Sequence, residues 1–215
     1  MVKPTLAQLT ALQKRDPKLK AVLKRLGPYP GFPEGAKKRQ THFESLTRAI
    51  VFQQLAYRAA DTIYNRACAL TPGDRFPRAA EICDLSLEQL RSAGLSRAKS
   101  LALKDLSERI VDGDLKLRSL GRYSDEVIIE KLIQVRGIGA WTAQMFLMFK
   151  LGRLDVLPAA DLGVQEGLRV LDKMQERPTA KELEARGAVW APLSSVAAWL
   201  MWRLADEAKQ QKLKR

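Results

Sequence analysis

The chain has 215 residues, enough for one sizeable domain or two small lobes sharing a cleft, and its 46% hydrophobic and 28% charged content is typical of a soluble globular protein. A formal charge of +13 points to a polyanionic partner: nucleic acid first, an anionic membrane second, with a merely solvated basic surface as the bland alternative. Cys68 and Cys83 have no metal-ligand spacing, so neither a zinc site nor an iron–sulfur cluster can be built on them. No apolar run has membrane-spanning length. With no signal-peptide pattern in view, a reducing cytoplasm or nucleoid is the expected compartment, and both thiols are expected to be buried rather than paired.

In chain order, residues 4–27 read as one or two short polar-faced helices, with Pro17 able to start the second. The stretch Gly27-Pro28-Tyr29-Pro30-Gly31-Phe32-Pro33 is too rich in turn formers for regular helix and reads as a strap. Lys37 to Gln40 reads as basic loop. Phe43, Leu46, Thr47, Ile50 and Val51 follow the i, i+3, i+4, i+7, i+8 spacing of a half-buried helix, which ends at Gln53-Gln54-Leu55. A further helix is predicted from Tyr57 to Ala69, broken by Thr71-Pro72-Gly73-Asp74. Ser86 and Gln89 fit a capping box with Gly94 as the stop, and Leu103, Leu106, Ile110 and Val111 mark a helix that ends near Gly113.

Ser124 is a good N-cap for the next helix, with Asp125 and Glu126 in its first turn, where the dipole favours them. That helix leads into Arg136-Gly137-Ile138-Gly139, and a second helix starts at about Gly139. Two glycines tolerate the backbone angles of a tight turn, with Ile138 as an apolar plug between them. The first amides of the second helix lack helical partners and suit a phosphate oxygen. On spacing alone the motif is either such a grip or only a turn. About ten residues of loop follow this helix and end at Asp161, before a helix carrying Val164, Leu168 and Leu171 that runs to about Lys173. Asp161 is then an N-cap, a catalytic carboxylate, or both. Thr179 and Glu182 form another capping box, closed by Gly187, and a last helix runs from about Ser195 into a basic tail. With no strand alternation and no internal repeat, the expected class is all-α.

Leu132, Val135, Gly137, Ile138, Gly139, Thr142 and Ala143 resemble the helix-hairpin-helix element of the HhH-GPD DNA glycosylase superfamily. Pro158-Ala159-Ala160-Asp161-Leu162-Gly163-Val164 matches the Gly/Pro-containing loop and aspartate that follow the hairpin there. Phe43 to Ala60 is similar to the helix that leads into a lobe of that fold and to the loop after it. The resemblance covers roughly residues 42–205, and its nearest branch is the 3-methyladenine DNA glycosylase II (alkylation repair) enzymes.

The resemblance implies a two-lobed helical fold with the hairpin (residues 124–150) at the cleft. Residues 1–41 would be N-terminal helices and a strap packed on the C-terminal lobe, and residues 42–215 the glycosylase region of one globular unit. The N-terminal β-rich domain of fuller relatives is expected to be lacking. Asp161 would stabilise the positive charge that develops on the sugar and orient the attacking water. Gly137, Gly139, Ala140 and Thr142 would hold the DNA backbone.

Family members that also cut the strand carry a lysine two residues after the last hairpin glycine, where it forms a Schiff base. Trp141 stands there, which implies a monofunctional enzyme. Trp141 and Trp202 would line the base pocket and attract a cationic alkylated base, each stack worth ~1–2 kcal/mol when desolvated. Met145 and Leu162, with Leu193, stand where the branch has aromatics, so the pocket would be roomier. Core packing is the alternative for each tryptophan, and it is the expected role of Trp190 and Trp199. Gln54, with Gln53 as the neighbour able to replace it, would fill the gap left by the extruded base. Tyr57 and Arg58 could touch the opposite strand or a phosphate. No cofactor is expected, apart from a structural Na+ or K+ held by the backbone carbonyls of Ile133, Val135 and Ile138. The partner would be double-stranded DNA with damaged bases, with no membrane association and a monomeric protein. The competing readings are a non-enzymatic hairpin DNA-binding protein and a glycosylase for oxidised or deaminated bases. The single histidine, His42, is expected to be structural or on the surface.

Overall fold

Capping chemistry sets most helix boundaries in the computed structural model, which describes residues 1–35, 39–73 and 75–213. The basic residues Lys37 and Lys38, the breaker Asp74 and the tail residues Lys214 and Arg215 lie outside the described residues. In chain order the helices are α1 (Leu6–Arg15), α2 (Pro17–Leu26), α3 (His42–Phe52), α4 (Tyr57–Cys68), α5 (Ala79–Asp84), α6 (Leu87–Ser92), α7 (Arg97–Val111), α8 (Asp125–Ile133), α9 (Ala140–Phe146), α10 (Leu162–Asp172), α11 (Ala180–Gly187) and α12 (Ser194–Leu213). The class is all-α: among the described residues the β-pairing is a single bridge between Val2 and Phe32. No helix among them is long and apolar enough to cross a membrane.

Two features escaped the sequence pattern. Helix α5 has no Ser, Thr, Asp or Asn at its start. Its first turn is held instead by Glu81, whose carboxylate accepts from the Arg78 amide at 2.6 Å and from both terminal nitrogens of Arg75 at 2.7 Å. A 3₁₀ segment, Leu117–Arg122, buries Leu117 and Leu120 three residues apart, too short a run to show a period. In helix α7 Leu103 and Leu106 point inward as expected, joined by Ala102 and Ser107, whereas Ile110 is half-buried and Val111 exposed.

The chain divides into two compact units, one of residues 1–35 with 147–215, the other of residues 36–146. In the first unit the N-terminal helices are tied to the C-terminal part by a buried carboxylate. Asp16 caps α2 through the Lys18 amide and accepts from Trp190 Nε1 and from Arg186, each at 2.8 Å. Trp190 is fully buried, as expected. Trp199 is only half-buried, set edge-on to Tyr29 with ring centres 5.7 Å apart. Leu193 is fully buried and belongs to the core rather than to any pocket. Helices α10 and α12 approach so closely that a side chain at Gly167 would overlap the Met201 backbone.

The second unit holds α3 to α9. Thr41 and Glu44 form a capping box on α3, which buries Leu46, Thr47, Ile50 and Val51. Phe43 is half-buried on the same helix. His42 Nδ1 lies 2.8 Å from the Leu117 carbonyl and the ring sits edge-on to Phe146, so the lone histidine is structural. Cys68 and Cys83 are free and half-buried, and burial raises both thiol pKa values.

Candidate active site

In the second unit, α8 and α9 flank the glycine turn. Ser124 caps α8, and Leu132 and Val135 are buried beneath the turn. Gly137 takes a φ of +76°, the left-handed conformation that favours glycine, and a side chain there would press on Ala102. Gly139 differs from expectation. It has no left-handed φ, and a Cβ added to it would meet nothing within 4 Å. The fold therefore demands glycine at 137 but not at 139. The first helical bond of α9 runs from Ala143 N to Gly139 O at 3.1 Å, so the amides of Gly139 and Ala140 precede the helical ladder. Gly137, Gly139 and Ala140 are all exposed.

Thr142, expected at the DNA backbone, is 4% exposed and turned inward. Its hydroxyl accepts from Gln53 Nε2 at 3.3 Å, and the same amide donates to the Gly137 carbonyl at 3.0 Å. Gln53 is thus bound to the hairpin rather than presented for insertion. Gln54 is exposed and holds a φ of +55°, unusual for a residue with a side chain. Two residues that the sequence did not single out fix this arrangement. Lys99 Nζ donates to the carbonyls of Val51 and Gln53, each at 2.8 Å, and so caps the C-terminal end of α3. Asp105 on α7 accepts from the Arg136 amide at 2.7 Å and from Arg109 at 3.1 Å, anchoring the start of the turn. Single charged residues on a helix carry no pattern that would reveal such roles.

Of the carbonyls expected to hold a cation, Val135 O already accepts from Ile138 N at 3.0 Å. Among the described residues no cluster of three or more His, Cys, Asp or Glu side chains is placed to hold a metal. Trp141 is 47% exposed on α9, and Met145 is half-buried on the same helix.

In the first unit, Asp161 is the N-cap of α10. Its Oδ1 accepts from Val164 N at 2.9 Å and from Trp202 Nε1 at 2.8 Å. The carboxylate therefore sits at the positive end of a helix with its orientation fixed by two donors. Trp202 reaches it from α12 and stacks on Phe149, with centres 5.6 Å apart and planes 28° apart. Phe149 is an aromatic partner of Trp202 that the sequence pattern did not single out. Leu162, the first residue of α10, is 64% exposed.

The loop leading to Asp161 is pinned at several points. Ser195 Oγ accepts from Val156 N at 2.9 Å and donates to Arg153 O at 2.8 Å. Asp155 accepts from the Ser194 amide at 3.1 Å, and Gln165 Nε2 donates to Ala159 O at 2.9 Å. Asp155 thereby braces the loop. Glu166 is paired with Arg169 at 2.9 Å.

A glycine hairpin and a helix-capping aspartate about twenty residues further on, in an all-helical chain, are the features on which the resemblance to the helix-hairpin-helix glycosylases rests. The chain belongs to the HhH-GPD superfamily base excision DNA repair proteins, whose family model matches residues 47–192. It is 35% identical to DNA-3-methyladenine glycosylase 1 of Schizosaccharomyces pombe over 198 residues, 90% of this chain and 86% of that protein. The structure of the S. pombe 3-methyladenine DNA glycosylase in complex with abasic DNA superposes with a TM-score of 0.81 at 34% identity, covering 93% of this chain and 96% of that one. DNA-3-methyladenine glycosidase from Bacillus halodurans superposes with a TM-score of 0.86 at 32% identity, covering 98% and 94%.

Proposed function

We propose that the protein is a monofunctional DNA glycosylase of base excision repair that hydrolyses the N-glycosidic bond of alkylated bases, of the 3-methyladenine and 7-methylguanine type, in duplex DNA. The observation that carries this reading is the Asp161 carboxylate, fixed at the head of α10 by Val164 N and Trp202 Nε1 in a chain of this family. The names of the S. pombe and B. halodurans proteins support the base class, and the abasic-DNA complex supports DNA as the partner.

In this scheme the bond from C1′ to the base nitrogen breaks and its electron pair goes to the base, whose ring charge it neutralises. An alkylated base is already a good leaving group, so little general acid is needed. Asp161 stabilises the oxocarbenium-like sugar and orients the water that adds to C1′. The water's proton leaves to the carboxylate or to solvent, and an abasic site remains.

The amides of Gly139 and Ala140 are assigned to a DNA phosphate. The open space at Gly139, which the fold itself does not use, favours close approach of a DNA backbone. Exposed Gln54 is assigned to the gap left by the extruded base, and the exposed indole of Trp141 to stacking on a base. Trp141 also stands where a strand-cutting relative has lysine, which supports base release without strand cleavage. No cofactor enters this scheme. The carbonyls of Ile133, Val135 and Ile138 are neutral oxygens with no carboxylate among them, a set that suits Na+ or K+, and Val135 O keeps one lone pair beyond its bond to Ile138 N. A cation there would add positive charge beside the phosphate.

The test is incubation with methylated duplex DNA. Free 3-methyladenine and alkali-labile sites are expected, without a borohydride-trapped protein–DNA adduct. No release from any alkylated duplex would overturn the reading, and a trapped adduct would overturn its monofunctional part.

A further inference from the structure

Gly163, the second residue of α10, is a glycine without a backbone reason. Its φ lies outside the left-handed region, so an alanine could adopt its conformation. Alanine is the better helix former by up to ~1 kcal/mol. What glycine supplies here is space. A Cβ built on it would lie 2.8 Å from Trp202 Cδ1, 3.2 Å from Trp202 Nε1 and 3.1 Å from Asp161 Oδ1. Those are the donor and the acceptor of the 2.8 Å bond that orients the carboxylate. Carbon–carbon contacts settle at about 3.5–4.0 Å. The indole would therefore retreat by roughly 0.7 Å or more, enough to stretch that bond towards its limit. The indole is also stacked on Phe149, with ring centres 5.6 Å apart, which limits how far it can move.

We propose that Gly163 is a positioning residue of the active site: by leaving out a side chain it lets Trp202 reach Asp161 and hold its carboxylate in one orientation. The same close approach continues one turn on, where Gly167 meets the Met201 backbone, so the two glycines set α12 against α10 at the level of Trp202. On this account Trp202 acts through the carboxylate, a role different from the base-stacking one that its residue type suggests. The proposal rests on the glycosylase reading above for its rate effects, but not for its geometry.

The experiment compares wild type, Gly163→Ala, Trp202→Ala and the double variant. Single-turnover release of 3-methyladenine from methylated duplex, thermal melting, affinity for abasic-site duplex, and the Trp202 indole N–H signal in ¹⁵N spectra are measured for each. Gly163→Ala is expected to slow release by about tenfold to a hundredfold, as small misplacements of catalytic groups do. Its melting temperature should fall by a few degrees at most, since the gain in helix propensity offsets part of the overpacking, its DNA affinity should be kept, and its Trp202 indole signal should shift away from the hydrogen-bonded position. In the Trp202→Ala background the same substitution should lose most of its effect on rate, because the clash is gone. Equal slowing in both backgrounds, or full activity with an unmoved indole signal, would overturn the proposal. If the wild type released no alkylated base, the glycosylase reading would fall. The indole signal would still decide the geometry: unmoved by Gly163→Ala, it would overturn the positioning role, and moved, it would support it.

Discussion

Replacing Lys99 with Met tests whether the loop carrying Gln54 is held from below. Lys99 Nζ caps two carbonyls at the end of α3, Val51 O and Gln53 O, each at 2.8 Å. A helix end leaves such carbonyls without helical donors. Hydrogen bonds from a charged donor are worth ~1.5–3 kcal/mol each, but the site is half-exposed and water would replace part of the loss, so a total of about 2 kcal/mol is expected. For a chain of this size that lowers the melting temperature by about 4–8 °C. The loop should suffer beyond the global loss. Gln54 holds a left-handed φ of +55°. Strain of that kind, ~1 kcal/mol or more for a residue with a side chain, persists only where neighbours enforce it. With the lysine gone the loop should relax, and extrusion of a target base, followed by 2-aminopurine fluorescence beside it, should drop in amplitude. An unchanged melting temperature with full fluorescence amplitude would refute the reasoning.

Two further outcomes follow from the same geometry. The hydrogen bond from Arg75, together with that from the Arg78 amide, holds the Glu81 carboxyl at about 2, below its ordinary 4.5. A carboxylate whose folded pKa is depressed stabilises the fold above its unfolded value, and that contribution is lost as pH falls from 4.5 towards 2. NMR titration should place Glu81 near the low value, and Arg75→Met should move it upward; a midpoint unmoved by Arg75→Met would refute the assignment. Gly167→Ala should cost several times a typical surface substitution, ~3 kcal/mol or more by overpacking, because the Met201 backbone lies where the methyl would go. A melting temperature equal to wild type would show that α10 and α12 can part freely.

The helices with polar caps were legible from sequence because capping boxes and stop glycines are local. Thr179 with Glu182, Ser86 with Gln89 and the Gly94 stop all act within a few residues, and the structure keeps them. Helix α5 was not legible, since its cap is a carboxylate reaching back from Glu81 rather than a hydroxyl ahead of it. The hairpin and Asp161 were readable as spacing, but spacing does not say where a side chain goes. Thr142 and Gln53 turned out to bond each other, and Lys99 and Asp105 act on backbone atoms far along the chain. Gly163 and Gly167 did leave a signal, two glycines four apart in a helix that needs neither for its φ. That spacing marks a helix face pressed close by another.

The most direct measurement of the central claim is single-turnover base release by Asp161→Asn. Asparagine is an equally good N-cap, and its side-chain oxygen can still accept from Val164 N and Trp202 Nε1, so the change removes the charge while keeping both of these bonds. Release of 3-methyladenine should fall by about a hundredfold or more, with folding and affinity for abasic-site duplex kept. Release at the wild-type rate would contradict a mechanism built on the Asp161 carboxylate.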